Sequence, residues 1–385
     1  MRQDASSVIY LDSQASTRVD DRVLRAMIPC FIELYGNPSS SHHLGLILSD
    51  LVEEKRSEIA SVLDVDASEI FFTSGATEAN NLVFELSSNF LKKNDRNKIL
   101  VSEIEHKSVI DPALRLREKG FVVEFVPVDR LGRVRIDILE SMLDDSVGLV
   151  SVMAANNEIG VLQDIRTIGS VCSDHDVLFH CDFVQGVGFV PCFPSSDNIA
   201  FATFSAHKMY GPKGIGALFV AGGMKPDFEG MILGGGQERG LRAGTLNLAG
   251  IVGLATAMTL QILEAPERKM HLKLLADTFL SRLKAIGIRF ELNGDLENRL
   301  PGNLNLWFKD VVAEELILSL PELAFSNGSA CNSRAISPSH VLTAIGCDRD
   351  RAFESVRISF GKDNTLQESI SAAELISKKI IEFKK

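Results

Sequence analysis

No apolar run in this chain approaches the length needed to cross a bilayer; the longest are strand-sized and interrupted, which argues against a membrane-spanning helix. The N-terminus lacks the basic flank and apolar core of a secretion signal, with Asp4 and Asp12 around the short triplet 8–10. Basic charge is in deficit. A net charge of −11 disfavours broad attraction to nucleic acid or anionic membrane, leaving room only for a local basic patch. The six cysteines (Cys30, Cys172, Cys181, Cys192, Cys331, Cys347) form no CxxC pair and no dense framework, so structural disulfides are not expected. Neither His42 and His43 nor the other histidines stand at ligand spacing to these cysteines, and no metal site is expected. Repeats, low-complexity tracts and Pro-rich linkers are also missing. The expected compartment is the cytoplasm.

What is present is an ordinary globular composition, 45% hydrophobic and 24% charged, in 385 residues. That exceeds the usual size of a single core, so a large domain with a smaller companion is expected. From residue 45 to about 260 the chain alternates strand-like runs (69–73, 98–102, 122–128, 147–153, 177–181, 199–204, 215–220) with helix-like ones (45–63, 77–90, 165–175). Such alternation predicts an α/β fold, a mostly parallel central sheet covered by helices on both faces. A helical stretch from 250 to about 286 leads into amphipathic segments that read as a small α+β domain. The expected division is 15–260 for the large domain, and 1–14 with 261–385 for the small one.

In such a sheet ligands gather at the carboxyl ends of the strands. His106, Asn157, Asp182 and the run Ser205-Ala206-His207-Lys208 each follow an expected strand and so share that rim. Lys208 lies between two apolar runs, where an amine is rare unless its charge is paired or its nucleophilicity is used. An imine to an aldehyde cofactor is one such use. Pyridoxal phosphate pairs it with a carboxylate on the pyridine nitrogen, a role open to Asp182. The plainer alternative is a solvated turn lysine beside a helix-capping aspartate.

Ser74-Gly75-Ala76-Thr77 opens a helix with a glycine turn, where free backbone N–H groups and the positive helix end favour an anion. Thr77, Ser205 and His207 could add side-chain donors to a phosphate there. His106 offers a flat face for stacking and a titratable nitrogen, though a surface loop histidine would look the same. Asn157 and Gln185 are neutral donors suited to a substrate carboxylate and a ring oxygen, or simple turn formers. Arg357 alternates with apolar residues in a strand, and an inward guanidinium would grip a carboxylate as a planar fork. The glycine-rich, basic segment 234–245, ending at Thr245, allows close approach to a ligand or a second subunit. Cys331 lies among small polar residues beside Arg334, a setting that favours thiolate over an inert packed thiol, in a segment expected to be mobile.

Taken in order, Tyr10-Leu11-Asp12, Gly36-Asn37-Pro38-Ser39, 73–78 (TSGATE), Glu105-His106-Lys107, 156–160 (NNEIG), Asp182, Gln185, 205–208 (SAHK), 210–214 (YGPKG), 234–245 and 328–331 (GSAC) resemble the cysteine desulfurases. The likeness is to their group I (NifS/IscS-type) branch, in the class V aminotransferase superfamily of pyridoxal-phosphate fold type I, and runs from about Tyr10 to Gly361. It implies that Lys208 carries the cofactor as an imine, Asp182 pairs its pyridine nitrogen, Gln185 bonds its phenolate oxygen and His106 stacks on its ring. It further implies that Ala76, Thr77, Ser205 and His207 hold the phosphate, with Thr245 offered by the other subunit of a homodimer. Asn157 and Arg357 would hold the carboxylate of L-cysteine, and Cys331 would attack its sulfur. The run Leu11–Thr17, Asn327 and Asn332 depart from common family residues, which puts partner choice in doubt but leaves the chemistry intact.

The expected function is therefore a pyridoxal-phosphate L-cysteine desulfurase, a sulfurtransferase that leaves alanine and a persulfide on Cys331. The sulfur would pass to an acceptor protein serving iron–sulfur assembly, tRNA thiolation or DNA phosphorothioation. A selenocysteine lyase or another class V aminotransferase is the nearest enzymatic alternative. An interaction platform with latent activity inside a sulfur-modification complex is the alternative of another class.

Overall fold

The computed structural model describes residues 8–222, 230–327 and 337–385. After β1 (Ile9–Tyr10), seven strands, β2 (Ile70–Thr73), β3 (Lys98–Ser102), β4 (Val122–Val126), β5 (Val147–Ser151), β6 (Leu178–Asp182), β7 (Phe201–Ser205) and β8 (Gly216–Val220), form one sheet in the order β2-β8-β7-β6-β5-β3-β4. Pairing is parallel from β7 to β4, and β8 alone runs against its neighbours β2 and β7. The expected α/β architecture with a mostly parallel sheet is therefore the one observed. Alternate residues face opposite layers. Phe71, Leu149, Phe201 and Leu218 pack with the helices Ala76–Lys93 and Lys107–Glu118, whereas Phe72, Val150, Phe204 and Phe219 face a core that includes residues of His43–Leu63 and Leu248–Leu263. Strands β5, β7 and β8 are buried along their full lengths, as a sheet covered on both faces requires.

A second, smaller sheet orders β9 (Glu291–Leu292), β10 (Asn303–Trp307) and, beyond β11 (Leu323–Ala324), β12 (Ser355–Ser359), as β12-β10-β9, all antiparallel. Its own apolar cluster joins Leu304, Leu306, Val356 and Ile358 to the helices Ala265–Ile286 and Leu366–Phe383, and includes Leu11 from the N-terminal segment. β1 pairs in parallel with β11.

The single helical stretch expected over 250–286 is in fact two helices, Leu248–Leu263 and Ala265–Ile286, bent by 72°. The cause is local: Pro266 lies in the first turn of the second helix, where its missing N–H costs nothing but bars continuation of the first. No single described helix is long and apolar enough to cross a membrane.

The sheet also contains a buried titratable group. His180 in β6 is fully buried, with Nδ1 2.8 Å from Ser151 Oγ and Nε2 3.2 Å from Thr203 Oγ1, and burial pushes its pKa down to about 3. Between the ordinary histidine value and that figure, the unfolded chain takes up a proton that the folded one refuses. Stability attributable to His180 should therefore fall as pH drops below about 6.5, by about 1.4 kcal/mol per pH unit. Urea denaturation between pH 7 and pH 4 should show a shallower decline for His180→Gln than for the parent protein. Equal slopes would contradict this origin.

Candidate active site

The carboxyl ends of β2, β3, β5, β6 and β7 open onto a pocket of about 550 Å³, whose lining includes Ala76, Thr77, His106, Asn157, Asp182, Gln185, Ser205, His207, Lys208 and Arg357. Ten of the site residues expected from sequence thus converge on one cavity. Two do not. Thr245 is exposed and is not among the lining residues, and Cys331 lies outside the described residues.

At the end of β7 a single turn of 3₁₀ helix, Ala206–Lys208, directs Lys208 into the pocket. Its Nζ donates to the backbone carbonyls of Gln14 at 2.6 Å and Ala15 at 2.8 Å. Gln185 Nε2 donates to the same Gln14 oxygen at 3.0 Å. His207 is pushed down to about 4 by burial and by the neighbouring Lys208 and Lys213 charges, so it is neutral at physiological pH. Its Nδ1 lies 3.3 Å from Ser16 Oγ.

Asp182 ends β6, 4% exposed. Its Oδ2 accepts from Asn80 Nδ2 at 2.9 Å and its Oδ1 from the Val184 N–H at 2.9 Å. Burial raises its carboxyl above the usual range, opposed by these two hydrogen bonds and by His106 and Lys208. Asn80 Nδ2 also donates to Ser108 Oγ at 2.9 Å, and Ser108 Oγ is 2.8 Å from His106 Nδ1. His106 caps the helix Lys107–Glu118, its Nδ1 accepting the Ser108 N–H, so in the neutral ring Nε2 carries the proton. Burial holds its pKa below the ordinary value, against the pull of Asp182. Behind this set Glu105 is fully buried, one oxygen accepting the Met153 N–H at 2.5 Å and the other without a partner. Burial first, and then the Asp182 charge, raise the Glu105 carboxyl well above the carboxylate range.

The other wall comes from the small sheet. Arg357, 2% exposed at the centre of β12, donates Nη2 to Asp12 Oδ1 at 2.6 Å and Nη1 to the Asn157 carbonyl at 3.0 Å. Its Nε is buried without a partner. The Arg357 backbone also exchanges hydrogen bonds with Ser326, whose hydroxyl donates to the same Asp12 oxygen that accepts from Arg357.

The third wall is the start of the helix Ala76–Lys93. Gly75 at its N-cap has φ +152°, and a Cβ built on Gly216 would come within 2.8 Å of the Gly75 Cα. Two glycines are thus needed for the turn to lie flat against β8. No side chain caps this end, and the first-turn N–H groups have no intrahelical acceptor, which suits a phosphate.

Pyridoxal phosphate fits these residues on three observations. A buried carboxylate is poised for a ring nitrogen, an amine is held at the cavity wall, and an uncapped helix end remains open to an anion. Asn80, Gln14, Glu105 and Ser108 have no expected role in the sequence reading. Asn80 carried a readable signal, a polar side chain of poor helix propensity on the mostly apolar buried face of its helix. Because its amide stabilises the charged form of Asp182, Asn80→Ala should raise the Asp182 pKa further. Carbon-13 NMR of aspartate-labelled protein should show the titration midpoint move upward; an unchanged midpoint would remove Asn80 from that role.

The aminotransferase class-V family model matches residues 9–371. The chain is 43% identical over 373 residues to the cysteine desulfurase IscS of Rickettsia bellii (strain OSU 85-389), covering 97% of this chain and 91% of the relative. Among solved structures it is similar to a NifS-like protein, with TM-score 0.90, 37% identity, and coverage of 97% of this chain and 100% of the other. A structure of SspA in complex with cysteine matches with TM-score 0.80 and 32% identity, over 91% of this chain and 98% of that one. The chain belongs to the aminotransferase class-V family, among relatives that are cysteine desulfurases.

Proposed function

We propose that this enzyme is a pyridoxal-phosphate-dependent L-cysteine desulfurase that releases alanine and leaves the sulfur as a persulfide on Cys331. The convergence of Lys208, Asp182 and Arg357 on one pocket carries the reading, together with the relatives' identity. When bound, the cofactor supplies an electron sink for negative charge at the substrate α-carbon. Asp182 would hold the ring nitrogen by a charge-assisted bond, which would offset the burial cost of the carboxylate. Ala76 and Thr77 at the helix start, with Ser205 and His207, would hold the phosphate; Gln185 would donate to the ring oxygen and His106 would cover the ring face.

Asn157 and Arg357 take the substrate carboxylate, Arg357 lining the pocket with its guanidinium fixed by Asp12 and the Asn157 carbonyl. Lys208 removes the α-proton and returns a proton during turnover. The thiolate of Cys331 bonds to the substrate sulfur as the carbon–sulfur bond breaks. Alanine leaves, and the outer sulfur passes on by thiol exchange to an acceptor protein. A twofold dimer accounts for Thr245 lying away from its own pocket, and for the exposed side chains of Ile28, Phe31, Ile32, Tyr35 and Leu46 near the N-terminal helices.

Lys208→Ala should lose the visible absorption of the bound cofactor and about 10²–10⁴-fold in turnover. Cys331→Ser should still exchange the α-proton of cysteine with deuterated solvent yet release almost no alanine. Mass spectrometry after cysteine addition should find the extra sulfur on Cys331 and not on Cys347, whose thiol is raised by burial. Normal desulfuration by Cys331→Ser, or label on Cys347, would refute the assignment.

A further inference from the structure

A carboxylate stands where the pocket should attract an anion. Glu78 is the third residue of the helix Ala76–Lys93, lines the pocket, and by its charge competes for the same positive helix end as a phosphate. Its Oε2 turns back to accept the Ser74 N–H at 3.0 Å. Its Oε1 accepts from Arg242 Nε at 2.8 Å, with Arg242 Nη2 3.4 Å from Oε2. Arg242 itself is not in the pocket lining. It belongs to the glycine-rich segment, where the Ala243 N–H bonds to the Ile232 carbonyl and Gly244 accepts no side chain without strain, at φ +114°. The pair is mostly screened from water, the side chains being 23% and 11% exposed, so the field of either charge reaches the pocket poorly attenuated.

We infer that Arg242 is a positioning residue for phosphate affinity: by neutralising Glu78 it clears the helix end of a competing negative charge, so that a phosphorylated ligand outbinds its unphosphorylated analogue. Burial alone would raise the Glu78 carboxyl, yet the Arg242 and Ser74 hydrogen bonds hold it below the ordinary range, so Arg242 faces a charged partner. This inference rests on the cofactor reading above.

The test compares pyridoxal phosphate with pyridoxal, which has the same ring and aldehyde but no phosphate, by spectroscopic titration of the full-length apoprotein. Arg242→Ala leaves an unpaired carboxylate and should weaken pyridoxal phosphate by about tenfold while leaving pyridoxal within about twofold. Glu78→Gln should act in the opposite direction, tightening the phosphorylated ligand, because its amide oxygen can still accept from Ser74 while Arg242 becomes an unpaired cation. The double variant should return close to the parent. A purely structural tie predicts instead that both single variants weaken both ligands alike, and that result would overturn the inference, as would an Arg242→Ala protein of unchanged selectivity. If Arg242→Ala fails to fold, the sign of the Glu78→Gln effect decides alone. Failure of the parent protein to bind either aldehyde would sink the cofactor reading instead.

Discussion

The segment Asp12–Thr17 is the part on which the pocket's geometry depends. Its carbonyls at Gln14 and Ala15 hold Lys208, its Asp12 carboxylate holds Arg357, and its Thr17 hydroxyl donates to the His207 carbonyl and accepts the Tyr210 N–H. The amine from the large sheet and the guanidinium from the small one are thereby referenced to one short run of backbone. Ser359 closes the attachment, its Oγ accepting the Gln14 N–H while its N–H bonds to the Leu11 carbonyl. A displacement of this run would move both the amine and the guanidinium.

One further contact stiffens the same joint, and a second fastens the glycine-rich segment. Tyr210, two residues beyond Lys208 and at φ +66°, has its ring between the Arg268 and Lys362 cations, at 4.9 and 4.7 Å, and its hydroxyl accepts the Lys362 N–H at 2.7 Å. The left-handed backbone of a bulky residue is costly, and is kept where surrounding contacts over-determine it. On the far side, buried Arg56 forms a fork with Glu238 at 2.8 and 2.9 Å, and Glu238 also accepts the Phe72 N–H. Glu238 and Arg239 both take positive φ, so the glycine-rich segment is fastened by charge at the point of its greatest strain.

Much of the scaffold was legible because it depends on local pattern. Strand-length apolar runs alternating with 3.6-residue periodicity gave the sheet, and residues just past those runs, Lys208 and Asp182 above all, fell on the ligand-binding rim. What could not be read was contributed by backbone or by distance. Gln14 acts through its carbonyl, which no side-chain pattern reports. Asp12 and Arg357 meet across 345 positions. The bend before Ala265 was available in Pro266, but the apolar periodicity on both sides concealed it.

The pairing of β1 with β11, and of Asp12 with Ser359, also has an order in time. As the chain is synthesised, the first strand emerges early but its pairing edge has no partner until more than three hundred further residues have followed. The β-rich rim around β2 to β8 can close by shorter-range contacts in the meantime. The wall containing Arg357 is thus the last of the pocket to be synthesised. A chain interrupted before β12 would lack both Arg357 and the Ser359 hydroxyl that fixes the Gln14 N–H beside Lys208.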